Sequence, residues 1–356
     1  MIRFFEHGRR GFDGFSRIIF TMIEQNEVTE TNFTGRKVFA SYNFPASAPL
    51  PDLLYQLLEH QKNFWPMAAE GYRSLQYAQV REVKCRTFSV WLQYNPKRLV
   101  STGAKVDAPS ISQRRCFLCV DHLPAGQQGV LYEKEFLILC NPMPIFPAHY
   151  TIAHVAHQPQ RLAPYLGALL KLSRDLSPHF TVFYNGAQCG ASAPDHFHFQ
   201  AAPAGKIPIE HEAVQASRRE VIAALNDVSI TLLKDLGRTA IVFESAHFEK
   251  IANILQQQLE KMQAGFDISE EPKVNLLCSY EPPQWRVILF PRRKHRPDVF
   301  FKEGDEKILI SPASVDMGGL IVTPIEKDFK TVDAKMIEAI YQEVSWDEKM
   351  VRRMLT

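Results

Sequence analysis

The sequence predicts an α+β protein built from two related halves, each an antiparallel sheet with flanking helices. Three observations predict it. Each half offers several strand-like segments with one or two helices, the second half loosely repeats the order of the first, and 356 residues suffice for two modest domains. The boundary falls between Pro203 and Pro208. Residues 1–205 are therefore read as an N-terminal extension plus the first half, and 206–356 as a C-terminal half.

The elements follow in order. LPDLLYQLLEHQK (50–62) has apolar residues at helical spacing, and TFSVWLQYN (87–95) is strand-like in its β-branched and aromatic content. A polar loop runs to Arg115. VLYEKEFLILC (130–140) and AHYTIAHV (148–155) read as strands around the turn-rich NPMPIFP. A helix is expected over 161–176, then strands at 179–186 and 196–202. The second half offers a helix over 209–225, strands at 228–233 and 239–244, and a helix over 247–263. KVNLLCSY and QWRVILFPR form a hairpin, GGLIVTP a strand, and 326–343 a closing helix.

Composition excludes several classes. With 46% hydrophobic and 22% charged residues the chain is an ordinary globular protein, and a net charge of +2 advertises neither nucleic acid nor a membrane surface as partner. The apolar stretch 15–23 is interrupted by Ser16 and Arg17 and is too short to span a bilayer, so a cytoplasmic location is expected. Of the six cysteines only Cys116 and Cys119 are close in sequence, which is not a disulfide framework.

HFHFQ (196–200) is the most informative segment. On a strand its period of two puts His196, His198 and Gln200 on one face and Phe197 and Phe199 on the other. An ordinary half-buried strand alternates in the same way. Two imidazoles beside an amide have a more specific use: a neutral imidazole is a nucleophile near pH 7, and an amide holds a phosphate oxygen without adding repulsive charge. The preceding loop, 185–195, is rich in small residues, which lets backbone amides approach an anion. In RRCFLCVDH (114–122) the CxxC spacing suits two thiolates on one zinc, and a redox pair would have the same spacing. Histidines are the expected further ligands, with His122, His149, His154, His157 and His196 as candidates.

From Ile152 to Gln200, through a strand, His157, a helix, a strand ending at Asn185, a glycine-containing loop and HxHxQ, the chain resembles the transferase branch of the histidine-triad superfamily. That branch includes galactose-1-phosphate uridylyltransferases, diadenosine tetraphosphate phosphorylases and GDP-L-galactose phosphorylases. The resemblance implies a HIT-like fold and an enzyme, a nucleotidyltransferase or phosphorylase. His198 would attack the α-phosphorus to form a nucleotidyl-histidine, and Gln200 would steady the phosphoryl oxygens. The substrate would be a nucleotide sugar or a dinucleoside polyphosphate, and the acceptor phosphate or a sugar phosphate. A catalytically silent nucleotide sensor of the same fold is the rival reading, and a homodimer is compatible with either.

For the metal, the resemblance implies a structural zinc on Cys116, Cys119, His157 and His196, with His154 as the alternative to His157. For the nucleotide, it implies Arg98 in QYNPKR as a phosphate ligand and Asn141 beside the nucleotide. Asn185, Gly190 and Ser192 are expected contacts from the small-residue loop, and Arg115, with Lys105 and Arg114, from the loop before the cysteines. RRKHR (292–296) could clamp a second phosphate or face solvent.

Overall fold

The computed structural model describes residues 37–104, 106–265, 268 and 270–355. The apolar stretch 15–23 and Lys105 lie outside them. Strands β1 (Val38–Tyr42), β4 (Gly129–Tyr132), β5 (Phe136–Cys140), β6 (Tyr150–His154), β7 (Phe180–Asn185) and β8 (His198–Pro203) come from the first half. Strands β9 (Arg219–Leu225), β10 (Val228–Leu233), β11 (Ala240–Ser245), β12 (Val274–Glu281) and β13 (Gln284–Pro291) come from the second. All eleven form one sheet in the order β1-β4-β5-β6-β8-β7-β12-β13-β11-β10-β9, and the halves join where β7 pairs antiparallel with β12. Read from each outer side inward, β4-β5-β6-β8-β7 and β9-β10-β11-β13-β12 follow one rule: the last strand of the five slots between the third and fourth. The two halves are thus related, as the sequence predicts.

One face of this sheet carries helices α1 (Leu50–Phe64), α2 (Leu166–Asp175) and α3 (Phe248–Gly265). Leu50, Leu54, Leu57 and Leu58 are buried along α1, the stripe its helical spacing predicts. They share a core with Phe197, Phe199, Ile152 and Tyr184. Over the opposite face lies a three-stranded sheet of β14 (Leu320–Thr323), β3 (Ser89–Tyr94) and β2 (Gln79–Lys84), whose Val90, Leu92 and Ile321 pack with Phe183, Leu277 and Ile288. His198 and Gln200 point to this covered face, since the flanking phenylalanines belong to the other.

Three expectations are corrected. The helix over 209–225 is only Ile209–Glu212, and 219–225 is edge strand β9, turning at Asn226 and Asp227 (φ 49° and 63°) into β10. Pairing with β10 overrides the helix propensity of Glu220, Ala223 and Ala224. Segment 130–140 is a hairpin, because Glu133 and Lys134 take the positive φ of a two-residue turn without a glycine or asparagine to announce it. The closing helix breaks into Glu326–Thr331 and Ala334–Val344, the second capped by the Asp333 carboxylate on Met336 N–H.

Candidate active site

Strand β8 lies between β6 and β7, with Gln200 opposite Thr151 on one side and Phe183 on the other. Phe197 and Phe199 are fully buried among the helices, which fixes the register and so the direction of the histidine. Gln160 holds the strand entrance. Its Oε1 accepts from His198 N–H at 2.8 Å, while its Nε2 donates to the His198 carbonyl at 3.0 Å and to the Asn185 carbonyl at 2.8 Å. This side chain, within the loop HQPQR, ties the end of β7 to the start of β8. Nothing in the sequence marks it.

His198 is 3% exposed and lines a cavity of about 610 Å³. Its Nδ1 is 2.9 Å from the His196 carbonyl oxygen, which can only accept, so the ring carries its proton on Nδ1 and keeps a lone pair on Nε2. Burial lowers its pKa to about 4, leaving the ring neutral near pH 7.

Arg98, Asn141, Asn185, Gly190, Ser192 and Gln200 line the same cavity. Arg98 donates to the Met143 carbonyl at 2.8 Å, and burial lowers its pKa to about 10. The Asn185 amide oxygen accepts from Asn275 Nδ2 and Ser314 N–H, bonding the first half to the second. At Gly190, φ is +92° and a Cβ would lie 2.6 Å from that of Ala313, so no larger residue fits. Arg115 is exposed and does not line the cavity; Arg114 does, pairing with Asp195 at 2.6 Å. Within RRKHR, Arg292 is buried against Asn275 and the Pro312 carbonyl, whereas Arg296 lines the cavity over the Phe300 ring. The second half also supplies Ser311, Ala313 and Asp316, a buried carboxyl whose pKa burial raises to about 6. Its own equivalent of β8, strand β13, presents Arg286, Ile288 and Phe290 on that face and no histidine; Arg286 is spent on Glu244 at 2.6 Å.

Beside the cavity, Cys116, Cys119, His157 and His196 form a group that could hold a metal ion, their ligand atoms all within 4.8 Å of one another. Cys116 Sγ is 3.3 Å from His196 Nδ1, and Cys119 Sγ is 3.3 Å from His157 Nδ1. Bonds of about 2.3 Å to sulfur and 2.0 Å to nitrogen around a tetrahedral zinc give sulfur–nitrogen edges of about 3.5 Å, so the donor set fits. His196 Nε2 donates to the His154 carbonyl at 2.8 Å, which leaves Nδ1 unprotonated for a metal. His154 turns its Nδ1 to Ala156 N–H, and His122 uses its Nδ1 on the Cys116 carbonyl.

A family profile described as a domain of unknown function, DUF4922, matches residues 57–203, and one described as the GDPGP1-like C-terminal domain matches 212–354. No curated protein sequence matches the chain. Among solved structures, yeast Ap4A phosphorylase Apa2 is similar with a TM-score of 0.53 at 16% identity, covering 82% of this chain and 94% of that one. Its complexes with AMP and with Ap4A match at the same TM-score. At that identity the likeness is one of fold. Among the described residues no helix is long and apolar enough to cross a membrane.

Proposed function

We propose that this chain is a histidine-triad-like nucleotidyltransferase or phosphorylase working through His198, a reading supported by its similarity in fold to Ap4A phosphorylase and by the GDPGP1-like C-terminal profile. The Nε2 lone pair of His198 attacks the α-phosphorus of a nucleotide sugar or dinucleoside polyphosphate. The bond from that phosphorus to the bridging oxygen breaks, and the leaving sugar phosphate or nucleoside polyphosphate takes the electron pair. An oxygen of phosphate or a sugar phosphate then attacks the same phosphorus, the P–N bond breaks, and the neutral imidazole returns. The observation that carries this reading is the bond from His198 Nδ1 to the His196 carbonyl. It fixes the nucleophilic tautomer, and it strengthens as the ring becomes cationic in the adduct. Gln200, Arg98 and the amides around Gly190 disperse charge on the phosphoryl oxygens. The similarity to a phosphorylase solved with Ap4A and AMP, and the GDPGP1-like C-terminal domain, support a nucleotide substrate.

The same reading places a zinc ion on Cys116, Cys119, His157 and His196. Four protein ligands leave no open position, so the metal would brace the strand entrance. In this reading 1–205 hold an N-terminal extension plus the catalytic half, and the C-terminal half, 206–356, contributes Arg296, Ser311, Ala313 and Asp316 to the cavity lining. Intact-protein mass spectrometry after mixing with nucleotide sugars and dinucleoside polyphosphates tests the proposal. A nucleotidyl adduct that phosphate discharges supports an enzyme; tight binding with no adduct and no turnover supports a silent binder.

A further inference from the structure

We infer that His149 is a positioning residue, whose ring fixes the Gln200 amide so that its NH2 group, not its carbonyl oxygen, faces the reacting phosphoryl group. The inference rests on the reading above that such a group sits against Gln200.

His149 Nδ1 accepts from Ile145 N–H at 3.4 Å, which places the ring proton on Nε2. That Nε2–H lies 2.8 Å from Gln200 Oε1 and donates to it. The ring cannot easily turn away. It is 1% exposed, packs between Phe146 and Phe183 with ring centroids 6.0 Å from each, and its backbone is held by the Tyr72 hydroxyl and by Asn141 N–H. Burial, with the nearby Arg98 guanidinium, lowers its pKa to about 3, so it keeps one donor and one acceptor near neutral pH.

The consequence follows from the symmetry of an amide. Turning Gln200 by half a turn about its last bond leaves its shape almost unchanged but exchanges donor for acceptor. With Oε1 committed to His149, Nε2 is left for the cavity, where it donates to a phosphoryl oxygen. In the opposite orientation Oε1 would meet that negative charge, and Nε2 would meet the His149 donor. A glutamine without His149 would therefore sample an orientation that repels the transition state. His149 sits two residues before Thr151, the strand partner of Gln200, so the sheet register itself brings the ring to the amide.

Two measurements test this. In protein labelled with 15N-histidine, long-range nitrogen–proton correlations should show His149 as the neutral Nε2–H tautomer near pH 7, with H149F identifying its signals. An Nδ1–H tautomer or a cationic ring overturns the inference whether or not the protein turns over. The second is a double-variant cycle on single-turnover adduct formation from Ap4A. H149F should slow the step by more than about 10-fold and by no more than Q200A, itself expected near 100-fold. H149F/Q200A should be no slower than Q200A, and H149Q, which keeps a donor, should recover part of the rate. Losses that multiply in the double variant would show that His149 does not act through Gln200. If the wild-type forms no adduct, the functional reading for Ap4A fails, and the tautomer alone decides the role of His149.

Discussion

His196 and His198, two residues apart, use their rings in opposite senses. His198 Nδ1 donates to the His196 carbonyl at 2.9 Å, while His196 Nδ1 turns to the thiol of Cys116 at 3.3 Å. One ring thus keeps its free lone pair for the cavity and the other for the cysteine cluster. Replacing the two rings should therefore have different consequences.

His198→Gly should fold, retain bound zinc and form no nucleotide adduct, and free imidazole should restore part of the transfer by filling the vacated space. His196→Ala should lose metal and stability first, with activity falling as a result. Metal analysis, thermal melts and adduct formation on both variants check the division. A His196 variant with full zinc and an unchanged melt would contradict it.

Gln200→Ala should keep its zinc and its adduct but slow both half-reactions by roughly 100-fold, the usual effect of one lost oxyanion donor. Rapid-quench measurement of each half-reaction reads this. A loss confined to KM would mean that Gln200 binds ground state and transition state alike.

Purified protein should carry about one zinc per chain, because two thiolates and two imidazoles complete a closed site. Replacing Cys116 and Cys119 together by serine should remove the metal and lower the denaturation midpoint. Equal stability with and without metal would remove zinc from the account.

Gln160→Leu should destabilise the protein by about 3 kcal/mol, since it strips partners from His198 N–H and from two carbonyls in a buried region. Adduct formation should fall further than the unfolded fraction explains, because the same bonds hold the nucleophile. Urea melts beside single-turnover rates separate the two effects.

Much of this was legible in the sequence because HFHFQ and CFLC concentrate their chemistry in few residues. Period two set His198 and Gln200 on a face opposite two buried phenylalanines, and α1 showed its leucine stripe. The cysteine–histidine cluster formed on the four residues that the family resemblance implied. What could not be read depends on distant chain segments meeting. Gln160 and His149 act on β8 from 38 and 51 positions away, through hydrogen bonds that leave no local pattern. Arg114 and Arg115 are neighbours of the same type, and only the fold turns one inward to Asp195. β9 escaped because Arg-Glu-Val-Ile-Ala-Ala-Leu suits a helix until β10 offers it an edge.

The central claim is the identity of the nucleophilic atom. Trapping the protein with a nucleotide substrate before acceptor is added, mapping the modified peptide, and reading 31P–15N coupling in 15N-histidine-labelled protein locates the bond. The account predicts one phosphoramidate, on Nε2 of His198, absent from His198→Gly and discharged by phosphate or a sugar phosphate. A nucleotide bonded to any other residue, or to Nδ1 of His198, would contradict it.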